Sequence, residues 1–200
     1  MDQSIPAPAA RLLDFIASKE APEGYGTIYG NNQRKLPTPL VQMTIADVIA
    51  SGTAWTNRFG SSAAGRYQFM KATLQGLVRE LGLSGKEQFS PDLQDQLGFH
   101  LLKRRGYEKW AAGKLTDVAF GLALAQEWAS FPVLAPTTGF KRDVARGQSF
   151  YAGDGLNKAL ISAEAVEAAL VAARAAPKPG ATDARVTPNL CPACGKALAG

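Results

Sequence analysis

Two hundred residues, 46% of them hydrophobic and 20% charged, are enough to bury the core of one globular domain. His100 is the only histidine and Cys191 and Cys194 the only cysteines, which excludes a His-rich zinc site and a cysteine nucleophile paired with histidine inside the core. The net charge of +5 and a pI near 9.3 favour anionic partners, but the basic residues are scattered and form no stripe with interleaved aromatics, so nucleic acid is not expected.

The chain opens with MDQSIPAPAARLL, which carries an acid at Asp2 and lacks the basic and apolar regions of a signal peptide. No apolar run reaches the ~20 residues of a membrane span. Synthesis in a cytoplasm, with neither export of its own nor membrane insertion, is the expectation. Residues 9–20, AARLLDFIASKE, then place Leu13, Ile16, Ala17 and Glu20 in an i, i+3, i+4, i+7 series on one helical face. A carboxyl at the inner edge of a helix end loses solvent and faces the negative pole of the helix. Both effects favour the protonated form, which is how a general acid is made. A solvated glutamate closing an amphipathic helix fits the same spacing.

Pro22 stops that helix. Residues 24–30, GYGTIYG, alternate as a short strand does, and Gly30-Asn31-Asn32 suits a turn, so a small β-hairpin or flap is expected beside Glu20. An extended connection through Leu36-Pro37-Thr38-Pro39 leads to Thr44 and Asp47, a capping pair for a short helix ending near Gly52. Acids are scarce here: between Glu20 and Arg79 there are only Glu23 and Asp47. Residues 60–68, GSSAAGRYQ, combine small side chains, which let a ligand approach the backbone, with groups able to address hydroxyls and amides. That is what a sugar site needs, although a surface loop with a capping serine has the same composition.

Lys71–Leu81 reads as a helix stopped by Gly82, and Ser90-Pro91-Asp92 starts another that runs to about Arg105, with His100 as a packed or half-exposed imidazole. Thr116–Ser130 is apolar nearly all round and is expected to form a central helix, ended by Phe131-Pro132. Trp128 reads as a buried ring, and Glu127 as either solvated or facing a cleft. After a polar, glycine-rich stretch, a last helix is expected from Ala163 to Ala175. The remainder holds Pro177, Pro179, Pro188 and Pro192 without apolar periodicity and reads as a flexible tail. Its CPACG knuckle makes Cys191 and Cys194 weak metal candidates, because one C-x-x-C supplies two of four ligands. No cofactor and no metal are expected.

In this order the pieces resemble the lambda-type phage endolysins, which are lysozyme-like lytic transglycosylases. The matching residues are Glu20 after Ser18, Gly24-Tyr25 with Ile28 and Gly30, Ser61 with Ala64-Gly65-Arg66-Tyr67-Gln68, Phe89-Ser90-Pro91, and Trp128-Ala129-Ser130 with Pro132. The chain departs from the pattern at Lys19, at Ser62 and Ala63 where the family has Thr and Gly, after Gly30, and in the tail. Spanning residues 9–160, the resemblance implies a mainly α, α+β lysozyme-like fold acting on peptidoglycan glycan strands. It implies Glu20 as catalytic acid, with Tyr25, Tyr29, Ser61, Ser62, Arg66, Tyr67 and Gln68 along the sugar cleft.

The implied reaction cleaves the β-1,4 bond between N-acetylmuramic acid and N-acetylglucosamine. Glu20 protonates the bridging oxygen and then takes the proton of the muramic C6 hydroxyl, leaving a 1,6-anhydro end. The scarcity of acids suits a one-carboxyl scheme, since ordinary glycoside hydrolysis uses two. The alternatives are a hydrolytic muramidase, with Glu23 or Asp47 assisting a water, and a non-catalytic wall-binding or virion component that kept the fold. The expected organisation is a catalytic domain over residues 1–162, a C-terminal helix over 163–176 and the tail over 177–200. A monomer is expected, acting in the periplasm or wall after release by a holin or carried in a virion tail, with the tail free to contact another protein.

Overall fold

The structure, a computed structural model, describes residues 1–177. Helix α1 (Ala7–Glu20) follows Pro6 and carries Pro8 in its first turn, where the missing N–H costs no intrahelical bond. Its apolar stripe, Ala9, Leu12, Leu13, Ile16 and Ala17, is buried against helices α4 (Pro91–Arg104) and α7 (Ala163–Arg174). The Ala21 N–H still reaches the Ala17 carbonyl, and Pro22 ends the run. The helix that terminates in Glu20 is therefore held on two sides.

Helix α2 (Ile45–Phe59) starts with the foreseen capping box, Thr44 accepting from the Asp47 N–H and Asp47 from the Thr44 N–H. It does not stop near Gly52. It runs on to Gly60, which adopts φ +93°. Gly52 is a site of close approach instead: a Cβ there would lie 2.9 Å from Lys71 Cβ, so the glycine lets α3 (Lys71–Leu81) pack against α2. Helix α4 begins at the Ser90 cap as expected.

A five-residue helix, α5 (Tyr107–Ala111), was not expected from the apolar pattern; Gly106 at φ +94° restarts the chain, and Trp110 stacks on Phe120 at 4.9 Å. Helix α6 (Asp117–Glu127) is shorter than foreseen and is not central. Phe120, Gly121, Leu124 and Ala125 are buried while Val118 is exposed. Small residues make its sequence look apolar on every side, yet only one face meets the core; the central position belongs to α1. At its end Trp128 turns extended and donates from Nε1 to the Tyr67 carbonyl, which takes the chain out of the helix.

Among the described residues, regular pairing is confined to a small antiparallel hairpin, β1 (Thr137–Thr138) with β2 (Asp143–Val144). The stretch after Pro22 does not form a hairpin of its own. Ile28 bridges to Ala64, after which Gly30 at φ +67° and Asn31 at φ +55° coil the chain into a series of single 3-10 turns before a second strand can form. The molecule is thus mainly helical with a minor β component, an α+β lysozyme-like class. Helix α7 caps at Ser162 and places Val166, Leu170 and Ala173 in the same hydrophobic cluster as α1. Arg174 lies 4.5 Å over the Trp110 ring and 2.9 Å from Asp117, tying α7 to α5 and α6. Among the described residues no helix is long and apolar enough to cross a membrane. The Cys191–Cys194 knuckle and the tail beyond residue 177 lie outside the described residues.

Candidate active site

Glu20 is the last residue of α1 and is half-buried. Its Oε1 accepts a short hydrogen bond from the Ser130 hydroxyl. Burial pushes the carboxyl above its ordinary value near 4.5, and the Ser130 bond offsets part of that rise by favouring the ionised form. The group is therefore biased toward carrying a proton while retaining a fixed donor for the moment it loses one.

Ser130 is itself held rigidly. It lies between Trp128, whose indole is anchored on the Tyr67 carbonyl, and Phe131, whose ring meets Phe15 of α1 edge-on at 5.8 Å. On the other side Ser149 donates to the Ala129 carbonyl and the Leu160 N–H to that of Ser130. Backbone and rings together fix the hydroxyl of Ser130, a residue only 9% exposed, against the end of α1.

The segment containing residues 60–69 is joined to the stretch after Glu20. Ala64 bridges to both Ile28 and Phe69, the Tyr29 N–H donates to the Ala63 carbonyl, and the Gly65 N–H to the Thr27 carbonyl. Gly65 must be glycine. Its φ is +78°, and a Cβ would lie 2.4 Å from Gln94 Oε1, the atom that accepts the Arg66 N–H. Gln94 also donates to the Tyr25 and Phe89 carbonyls, so one fully buried amide fixes both segments to α4.

The sequence-expected cleft residues divide into two groups. Tyr25, Arg66 and Tyr67 come together around Asp95, an acid with no exposed surface that sequence reasoning did not single out. Asp95 accepts from the Tyr25 hydroxyl at 2.9 Å and the Tyr67 hydroxyl at 2.6 Å. Arg66 stacks over both rings and reaches Asp14 of α1 at 2.6 Å. Burial, followed by the hydrogen bond and charge of Asp95, pushes the Tyr25 phenol up to about 12 and the more deeply buried Tyr67 phenol further still. These polar groups are bound within the protein. Ser62 is buried as well, with Oγ accepting the first N–H of α3 from Lys71.

Tyr29, Ser61 and Gln68 differ from that group. Tyr29 is 44% exposed and lies beside Gly60; Ser61 is partly exposed and accepts from the Ala63 N–H; Gln68 is partly exposed at φ +49° with Nε2 on the Gly65 carbonyl. The two nearby acids are placed unlike Glu20. Glu23 is exposed, and Asp47, also exposed, holds the α2 cap with Oδ2. Glu127 pairs with Arg104 and Arg105, and His100 with Glu80. Among the described residues no group of three His, Cys, Asp or Glu side chains is arranged to hold a metal.

Ser130 and Asp95 were missed as site and framework residues. Ser130 belonged to the Trp-Ala-Ser-x-Pro motif, the one sequence signal that pointed to it. Asp95 had no local signal, since an acid on an otherwise ordinary helix looks solvated until three partners 28 to 93 residues away close around it.

No curated protein and no solved structure matches the chain significantly. Residues 21–156 match the family described as Endolysin, a span that begins one residue after Glu20 and takes in the 60–69 segment, the Asp95 framework and Ser130. With more than half of its length inside that match, the chain belongs to the endolysin family, phage enzymes that degrade peptidoglycan.

Proposed function

We propose that this endolysin is a lytic transglycosylase of the lambda type, with Glu20 acting first as acid and then as base on the β-1,4 bond between N-acetylmuramic acid and N-acetylglucosamine. The observation that carries the reading is the Glu20 carboxyl itself: half-buried, raised in pKa and held by one hydroxyl donor. The protonated carboxyl gives its proton to the bridging oxygen as the bond to the muramic C1 breaks. Ser130 then steadies the new carboxylate by a charge-assisted hydrogen bond. The muramic C6 oxygen closes onto C1, and its proton returns to Glu20. No water is consumed and no second acid is required.

Support for the one-carboxyl scheme comes from the other acids of the region. Asp47 has an oxygen held by its own helix cap, and Glu23 lies in solvent. Tyr29, Ser61 and Gln68 retain exposed surface beside the loop and are the proposed glycan contacts, while Tyr25, Arg66, Tyr67 and Ser62 hold the loop in shape. The protein acts as a monomer in the periplasm or wall, reached through a holin or carried in a virion tail. The Glu20→Gln protein, incubated with purified murein, is expected to lose about 10²–10⁴-fold in muropeptide release; undiminished release would falsify the assignment.

A further inference from the structure

Beside α2 lies a groove of about 330 Å³, lined by Leu36, Pro37, Met43, Asp47, Ser51 and Trp55, with Thr38 and Gln42 at its edge. Ser51, Trp55 and Phe59 recur every fourth residue, so they follow one another along a single face of α2. Past the groove lining, one helical turn beyond Trp55, two cations stack on the Phe59 ring, Lys35 with Nζ at 5.5 Å from its centre and Arg58 with its guanidinium carbon at 5.1 Å. Neither forms a salt bridge among the described residues, and Lys35 is steered by a 2.7 Å bond to Asn32 Oδ1. At the other end stands Asp47, whose Oδ1 takes no hydrogen bond among the described residues. Two like charges on one ring, with no acid paired to either among the described residues, make a basic patch that suits an anion.

From Asp47 to Arg58 the helix rises about 16 Å, the length of an extended peptide of about five residues. Its basic end adjoins the glycan segment, because Gly60 follows Phe59 and the Tyr29 ring lies 3.7 Å from where a Gly60 Cβ would be. Peptidoglycan offers a ligand of that form: a short stem peptide, branching from the muramic acid, with free carboxylates and the amine of a diamino acid. We propose that this groove binds the stem peptide, Lys35 and Arg58 taking its carboxylates and Asp47 its amine, so that the enzyme selects peptide-bearing glycan. The proposal rests on the reading of the chain as a peptidoglycan-cleaving enzyme, and names what its substrate carries beyond the sugars.

The test is calorimetric titration of the full chain with a sugar-free stem tetrapeptide of L-Ala, D-Glu, a diamino acid and D-Ala. Saturable binding is expected, weakened by added salt and at least about tenfold by Lys35→Ala with Arg58→Ala. Both side chains are exposed, so the melting curve of the double variant is expected to overlay that of the parent. Absence of binding, or equal affinity in parent and variant, overturns the proposal. In parallel, kcat/KM is compared on intact murein and on glycan stripped of peptide by an amidase. The parent is expected to prefer intact murein, and in the double variant that ratio is expected to fall toward one; an unchanged ratio contradicts the groove. Failure of the parent to cleave either substrate strikes the reading as a peptidoglycan-cleaving enzyme instead, and the titration then decides on the groove alone.

Discussion

The Ser130 hydroxyl donates to Glu20 Oε1 across 110 residues of sequence, joining the turn after α6 to the end of α1. Because this bond favours the ionised carboxylate, its removal is expected to raise the Glu20 pKa further. A hydrogen bond to a charged group contributes about 1.5–3 kcal/mol, and one pH unit corresponds to about 1.4 kcal/mol. Ser130→Ala is therefore expected to move the alkaline limb of the pH–rate profile upward and to lower the maximal rate, since the carboxylate formed during reaction loses its partner. A limb that stays in place in a measured profile would remove Ser130 from the site.

Glu20 also links activity to stability. Its folded pKa is raised above the ordinary value near 4.5, so the unfolded chain releases this proton first. The contribution of the neutral, buried carboxyl is present below about pH 4.5 and is lost as pH rises through the folded value. Glu20→Gln keeps an acceptor for Ser130 and has no charge to bury. The variant is expected to melt higher than the parent at neutral pH, by about 2–4 °C for each kcal/mol gained, with the difference vanishing toward pH 4. Equal melting temperatures at both pH values would show that the carboxyl is effectively solvated.

Asp95 is the acid on which the loop framework depends. Replacing it with alanine leaves the Tyr25 and Tyr67 hydroxyls and the Asp2 N–H without their acceptor, and Arg66, which still donates to the Tyr25 hydroxyl, without the carboxylate 3.7 Å away. Breaking such a buried charged network costs about 3–5 kcal/mol, and the urea midpoint is expected to fall accordingly. Asp95→Asn keeps an acceptor oxygen and is expected to lose less. A denaturation curve for Asp95→Ala matching the parent would mean that the framework is held elsewhere.

Gly65 offers a sharper geometric test. A methyl group there meets Gln94 Oε1 at 2.4 Å on a backbone with φ +78°. Gly65→Ala is expected to cost about 1–3 kcal/mol from the backbone alone and to lower murein cleavage through displacement of the adjoining Tyr29, Ser61 and Gln68. Crystallography or amide exchange of the variant locates the change, which is expected in the 60–69 segment and at Gln94.

Helices were legible wherever their ends carried local chemistry. Thr44 with Asp47, Ser90 with Pro91 and Ser162 each marked a start that depends on neighbours three residues away. Gly52 reads as a stop because a glycine needed for close packing on Lys71 looks, in one dimension, like a glycine that ends a helix. The breadth of the apolar pattern in α6 came from alanine and glycine, which count as hydrophobic without needing burial. The candidate site shows the same division. Glu20 stands out as a candidate from spacing within its own helix, whereas the contact of Tyr67 depends on Asp95 and that of Ser130 on the turn after α6 meeting the end of α1. Such partners become visible only when distant segments meet.

A single carboxyl acting as acid and then base is distinguished by the nature of its product, which mass spectrometry of murein digested by the parent protein reads directly. Muropeptides ending in 1,6-anhydro-muramic acid, one water lighter than hydrolytic products and nearly absent with Glu20→Gln, are the predicted result. Reducing ends carrying the added water, in equal or greater amount, would contradict a single carboxyl acting alone and point to a second group that activates water.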